Sequence, residues 1–373
     1  YKSKEVFDIL IIDEAQEFPQ SFTRMCYAML RAPKRLVYAY DELQSSRPPL
    51  PKPEEIFGDG DNGMLEVYAD IVLDGCYERP PAILSTAHAL ALGIYREHPK
   101  GKNNMVQMFE SIHMWNALGY KVLDGCLDYG KHVVMGRHPI ERLNDKQIDD
   151  QIVFKSFESL EEQDAWVVQE IKRNLTEDGT QARDIMVVVP AMQLAYTGSA
   201  EMRGMLSDEK IPFHVVGEDE SDDKFWNGES VAICGILKAR SNEAPMVYVV
   251  EAHNAFYTRY DAAMNRNFLY AAITRSRAWV RVAGFGQEMD SLVEEFERIK
   301  SKGFKFDFVY PTRKELSKLR LVYREAGQEL GAERLEPEKV IGEAVELIRQ
   351  GKIELDEEQK GVLRDWLDRE AKL

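Results

Sequence analysis

Two adjacent carboxylates, Asp13 and Glu14, follow the apolar run Val6-Phe7-Asp8-Ile9-Leu10-Ile11-Ile12. Runs of this kind read as central strands of a parallel sheet, and ligands of open α/β sheets sit beyond the carboxyl ends of the strands. At such a rim one carboxylate can hold a Mg²⁺ carried by a nucleotide, and its neighbour can orient or deprotonate an attacking water. The plainer alternative is an exposed acidic turn after a buried strand. Tyr40-Asp41-Glu42-Leu43-Gln44 also follows a strand, over 35–40, which brings Gln44 to the same rim. Its neutral amide can hydrogen-bond a terminal phosphate; taken alone, the stretch is a polar turn.

Three further stretches carry candidate groups. Cys76-Tyr77-Glu78-Arg79-Pro80 leads into a helix. There the Tyr77 ring can stack on a base and the Arg79 guanidinium can clamp phosphate oxygens, or both can be ordinary residues at a helix start. The stretch 231–250 is strand, polar loop, strand. Its loop holds Lys238, Arg240 and Glu243, as site groups or as solvated charges of a hairpin or crossover. Leu269-Tyr270-Ala271-Ala272-Ile273-Thr274-Arg275-Ser276-Arg277 reads as a small-residue helix ending in two arginines. Arg275 can reach a triphosphate as an arginine finger; a basic helix C-terminus is favourable for the dipole in any case.

The elements that must position these groups follow from periodicity. Helices are predicted over 20–32, 81–97, 200–207 and 263–275. Ser159-x-x-Glu162 opens a further one as a capping box, running through Leu175 and closed near Gly179. Strands are predicted at 152–154, 185–189, 213–216, 231–236, 246–250 and 279–283. Strands alternating with helices imply a doubly wound parallel sheet. Residues 45–63 read as a Pro/Gly/Asp-rich loop, 99–150 as a small insertion, and 288–373 as a helical tail with helices at 336–350 and 356–371. Met105, Met108, Met114 and Trp115 form an apolar cluster in the insertion. Core packing is the preferred reading, stacking of Trp115 on a nucleic-acid strand the sharper one.

The composition bounds the classes. The chain has 373 residues, 44% apolar and 30% charged, which fits two or three globular domains. Lys plus Arg is 48 against 64 Asp plus Glu, a formal charge of −16, which argues against a histone-like binder but not against a locally basic groove. Four cysteines without a C-x-x-C are neither a disulfide framework nor a zinc site, and point to reduced thiols in the cytoplasm. No apolar run is long enough to span a membrane. No G-x-G-x-x-G opens a helix after a strand, which disfavours a dinucleotide-binding oxidoreductase.

In order, the five stretches resemble motifs of superfamily-one helicases of the UvrD/Rep-like group. Ile11-Ile12-Asp13-Glu14-Ala15-Gln16 is similar to the Walker B motif (motif II), residues 40–44 to motif III and 76–80 to motif IV. Residues 231–250 are similar to motif V, where relatives read GIYRAKGNEAP, and 268–275 to motif VI. The resemblance implies an ATP-hydrolysing motor, in which two RecA-like domains of the P-loop NTPase class enclose ATP and Mg²⁺ and step along single-stranded nucleic acid, DNA or RNA. It implies that Asp13 holds Mg²⁺, Glu14 activates water, Gln44 reads the γ-phosphate, Tyr77 stacks on adenine, Glu243 meets the ribose or the motif V network, and Arg275 stabilises the transition state. Gln16, Asp41, Arg79 and Lys238 complete the expected ATP-contacting set. The implied domains are the end of a first RecA-like domain (1–75), a second (76–287) with the insertion at 99–150, and the tail.

Several departures qualify that likeness. A Walker A loop, G-x-x-x-x-G-K-[ST], is missing upstream of Asp13. Gly125-Cys126-Leu127-Asp128-Tyr129-Gly130-Lys131-His132 has the spacing but ends in His132 and precedes a strand. The chain opens on Tyr1 and reaches a strand at once, so it is expected to be part of a longer protein whose other RecA-like half completes the site, and to have little ATPase activity alone. Tyr77-Glu78-Arg79 stands where relatives carry Tyr-Arg, and Arg240-Ser241 where Lys-Gly is usual. The competing expectation is a non-catalytic RecA-like module that senses nucleotide or binds protein.

Overall fold

The computed structural model describes residues 4–45, 56–57, 79–97, 105–137, 148–190, 199–218, 225–256 and 261–323. The chain divides into two compact units, Tyr1–Arg324 and Glu325–Leu373, and the described residues all belong to the first. The expected helices at 336–350 and 356–371, most of the 45–63 loop, and Tyr77 lie outside the described residues.

Thirteen strands run through the described residues: β1 (Leu10–Ile12), β2 (Leu36–Tyr38), β3 (Gln107–Phe109), β4 (Tyr120–Gly125), β5 (His132–Arg137), β6 (Ile152–Phe157), β7 (Ile185–Val189), β8 (Phe213–Val215), β9 (Val231–Gly235), β10 (Ala244–Val249), β11 (Ser276–Phe285), β12 (Phe306–Val309) and β13 (Arg320–Val322). Six form one sheet in the order β6-β11-β10-β7-β9-β8, every pair parallel. Its strands read as near-continuous apolar runs because both faces are covered. Met186, Val188, Cys234, Val247 and Val249 join one core. The alternating Ile185, Val187, Val189, Ile233, Met246 and Tyr248 join the other. This is a mixed α/β architecture with a six-stranded parallel sheet, consistent with a RecA-like fold.

The second core is closed by the helices Leu160–Thr176 and Ala200–Asp208, through Val167, Val168, Ile171, Met202 and Leu206. The first of these starts as its sequence predicts, with Ser159 Oγ accepting the Glu162 N–H at 3.2 Å. The longest helices of the other core are α1 (Pro81–Leu92), α2 (Ala262–Ile273) and α3 (Gly286–Ser301). Helix α1 is apolar on all sides and buried along nearly its whole length, the pattern of a helix inside a core. Pro81 begins it, where a missing N–H is harmless, and Gly93 ends it at φ 74°, a conformation that glycine adopts without strain.

Two expectations need correction. The described residues of 99–150 do not pack as a unit apart, and the described chain after 288 is not purely helical. The hairpin β4–β5 is completed by β12 into an antiparallel sheet, and β3 pairs with β13. Trp115, Phe109 and Tyr120 lie in the same core as the six-stranded sheet. Met105, Met108, Met114 and Trp115 are all buried, so packing is their role and Trp115 has no exposed face for stacking. The stretch 125–132 is the turn of that hairpin, with Gly125 and Gly130 at φ 76° and 69°, not a phosphate loop. The predicted 6–12 strand shortens to β1, because Asp8 breaks the run and Phe7 bridges separately to Leu30.

The pair β1–β2 is a two-stranded parallel sheet over a small core of Ile12, Ala15 and Cys26. Its opposite face carries Ile9, Ile11 and Val37, at 53%, 72% and 54% exposure.

Candidate functional site

A cleft of 480 Å³ opens between these two parallel sheets. One wall comes from the carboxyl ends of β1 and β2, as Glu14 and Gln44. The other comes from the amino ends of β10 and β11, as Glu243, Arg275 and Arg277, joined by Arg79, Arg240, Ser241, Asn242 and Trp226. Polar side chains dominate the lining, with four guanidinium groups against two carboxylates.

Glu14 reaches the cleft because the chain turns sharply after β1. Its φ of 50° is in the left-handed region, which non-glycine residues seldom enter and which recurs at functional sites. The turn is closed by Ala15 N–H to Ala39 O at 2.8 Å and Ala39 N–H to Ile12 O at 2.9 Å, which tie the ends of β1 and β2 together. Buried Gln16 donates its amide to Glu14 Oε2 at 2.5 Å and accepts the Asp41 N–H on Oε1 at 3.0 Å. It thereby joins the two acidic turns from beneath.

Gln44 is held at both ends of its amide. Its Nε2 donates to Asp41 Oδ2 and its Oε1 accepts from Arg275 Nη2, each at 2.7 Å. These partners fix which way the amide points, since only nitrogen donates to a carboxylate and only oxygen accepts from a guanidinium. Arg275 is buried at the end of α2. Its Nε donates to Ala271 O at 3.0 Å and its Nη1 to Arg240 O. Burial pushes its guanidinium below its usual value and nearby Arg79 acts in the same direction, with Glu243, Tyr270 and Glu14 opposing.

Glu243 sits between two cations. It accepts from Arg79 Nη2, and its Oε2 lies 3.4 Å from Arg277 Nε. Arg79 also donates Nε to Thr274 O at 2.5 Å, which ties the start of α1 to the end of α2. Arg240, itself buried, pairs with Glu17 of the β1 turn, a second link across the cleft.

Of the residues picked from sequence, Glu14, Gln44, Arg79, Glu243 and Arg275 line this cleft. Gln16 and Asp41 do not line it and instead hold residues that do. Asp13 is exposed at the end of β1, beside Glu14 and outside the lining; its Oδ1 accepts the Glu14 N–H at 2.9 Å. Lys238 is exposed and Arg240 takes the place at the cleft. The single helical turn Ile236–Ala239 buries Ile236 and Ala239, three apart on one side, and turns Leu237 and Lys238 outward. Trp226 and Asn242 were missed. The signal for Trp226 was the Phe225-Trp226 pair inside the polar stretch 217–230. Its segment is anchored by His214, whose Nε2 meets Phe225 O at 2.8 Å.

No family model matches the chain, and no curated protein does. Among solved structures it is similar to the C-terminal domain of a possible DNA helicase from Lactobacillus plantarum WCFS1, at 14% identity over 42% of this chain and 86% of that chain, with a TM-score of 0.29. A likeness at that score carries no argument about function.

Proposed function

We propose that the chain is part of an ATP-driven motor of the UvrD/Rep-like helicase type, a P-loop NTPase core that moves on single-stranded nucleic acid, DNA or RNA. The observation that carries this reading is the 2.7 Å hydrogen bond between Arg275 and Gln44, 231 residues apart, in a cleft that Glu14, Arg79 and Glu243 also line. The volume of 480 Å³ lies inside the usual range of small-molecule sites, about 300–1,000 Å³. Four guanidinium groups in a polar cleft fit a triphosphate.

In this reading Glu14 orients and deprotonates the attacking water, with Gln16 fixing one of its carboxylate oxygens. Gln44 reads the terminal phosphate, and Arg275 and Arg79 neutralise charge as it develops there. Glu243 steers Arg79 and Arg277. A Mg²⁺ arriving with the nucleotide would be held by Asp13 and would supply charge neutralisation at the phosphates. Among the described residues no group of three or more His, Cys, Asp or Glu could hold a metal ion by itself.

The backbone cradle and lysine of a Walker A loop are absent from the 373 residues, so the missing RecA-like half is the required partner. Purified 1–373 is expected to bind Mg²⁺-ATP weakly and to hydrolyse it at background rate. Protein that includes a Walker A half is expected to show strand-stimulated turnover that Glu14→Gln abolishes. Robust turnover by 1–373 alone, or turnover indifferent to Glu14→Gln, would overturn the reading. A second reading, a non-catalytic module that senses nucleotide or binds protein, is favoured by the exposed Ile9, Ile11 and Val37 face. Tight single-strand binding that weakens steeply with salt separates the two in favour of the motor.

A further inference from the structure

Gln44 is the end of a longer hydrogen-bonded chain. Its Nε2 donates to Asp41 Oδ2, and the other oxygen of that carboxylate, Oδ1, accepts the Leu43 N–H at 3.0 Å and the hydroxyl of Tyr323. Tyr323 is 282 residues away in sequence and directly follows β13. Its own N–H donates to Glu42 Oε2, so one residue grips two consecutive side chains of the 41–45 turn. Its ring packs on Phe109 of β3, with centroids 5.5 Å apart.

Two features show that this grip is specific. Tyr323 has φ 51°, a left-handed conformation that a bulky aromatic residue adopts only when its surroundings hold it there. Glu42, 1% exposed, is also held from the far side by Asn267, whose amide donates to Glu42 O at 3.0 Å and whose Oδ1 accepts from Gln107 of β3 at 2.7 Å. Burial and the Asp41 carboxylate push the Tyr323 phenol well above the usual tyrosine range, so the hydroxyl remains a donor. Of the groups facing Asp41 Oδ1, the Leu43 N–H belongs to the turn itself and Tyr323 ties it to a remote strand.

We propose that Tyr323 is a positioning residue for Gln44: through Asp41 it sets where the amide points, and so couples the pair β3–β13 to the phosphate end of the cleft. The coupling is reciprocal, so whatever displaces Gln44 from Asp41 also loosens Tyr323. The assignment of a phosphate end rests on the nucleotide reading above; the Tyr323–Asp41–Gln44 chain does not.

The test uses the full chain and a fluorescent ATP analogue (mant-ATP) with Mg²⁺. Tyr323→Phe keeps the ring contact with Phe109 and removes the hydroxyl. It is expected to weaken mant-ATP binding about five-fold, the net worth of one typical intramolecular hydrogen bond. The double variant Tyr323→Phe/Gln44→Ala should bind no more weakly than Gln44→Ala alone, because the hydroxyl acts through that amide. Multiplying effects, or a Tyr323→Phe affinity equal to wild type, would overturn the proposal. Hydrogen exchange without nucleotide gives the independent readout. Tyr323→Phe should speed exchange in the 41–45 peptide and leave the β10 peptide unchanged. Unaltered exchange at 41–45 sinks the positioning role even if nucleotide binds, whereas altered exchange with no mant-ATP binding by wild type sinks the nucleotide reading and leaves the Tyr323 chain standing.

Discussion

The two parallel sheets that meet at the cleft are built from the same apolar vocabulary and end in opposite conditions. In the six-stranded sheet alternate residues of β7, β9 and β10 enter two cores, and Ile185 to Val189 are each at most 2% exposed. In the two-stranded sheet one face packs on Ile12, Ala15 and Cys26, while Ile9, Ile11 and Val37 face outward. A two-stranded sheet has little stability of its own, so β1–β2 depends on what it leans against. Much of that support comes from the cleft itself, through the links Arg275–Gln44, Arg240–Glu17 and Tyr323–Asp41. The finished sheet provides rigidity, and the open one provides the acidic turn and the amide.

The widest gap between the two should appear under charge insertion. Val188→Asp places a carboxylate in a fully covered strand and is expected to cost several kcal/mol, whereas Ile11→Asp changes stability by under about 0.5 kcal/mol. Thermal unfolding of the two variants checks this, and a destabilised Ile11→Asp would mean the outer face is covered.

A smaller effect concerns the core below the cleft. Burial, helped by Arg137, drives His88 of α1 down to about 3 from 6.5, and its ring meets Tyr120 OH at 2.8 Å. An unfolded imidazole takes its proton near 6.5 and the folded one does not. Stability is therefore complete above about pH 6.5 and falls as pH drops toward 3, by up to about 1.4 kcal/mol per pH unit for this one group. Urea midpoints measured from pH 8 to 4 should show a shallower acid limb for His88→Asn than for wild type; parallel limbs would remove His88 from the account.

The subtlest contrast is kinetic. Cys26 lies in the small core, and Cys234 in β9 has its thiol pushed up by complete burial. Under native conditions, alkylation followed by peptide mass spectrometry should find exposed Cys126 first, Cys26 at least about ten-fold slower, and Cys234 slowest, in step with local opening. Equal rates at Cys26 and Cys234 would mean the two sheets open together.

What the sequence discloses of this arrangement is local. The apolar run at 185–189, the Ser159 cap, and the acidic or basic ends of strands and helices are each written in adjacent residues, and they appear in the structure within a few positions. Five of the residues picked on those grounds share the cleft wall. Partnership is different. The strand that completes the β4–β5 hairpin is β12, about 170 residues downstream, and nothing near 120–137 encodes it. Arg240 displaces Lys238 because one helical turn sets the register, and Tyr323 reaches Asp41 across most of the chain. Periodicity reports burial and leaves unsaid which remote segment does the burying.

The join between β9 and β10 has a consequence for engineering. These strands are not neighbours, since β7 lies between them, so residues 236–243 must pass from one side of β7 to the other while presenting Arg240, Ser241, Asn242 and Glu243 to the cleft. One stretch of fixed length serves as both strap and wall. Side chains there can be exchanged, but adding or removing a residue alters the span and the site at once. A tag, linker or permuted terminus belongs at the 126–131 turn instead, which is largely exposed and carries neither burden.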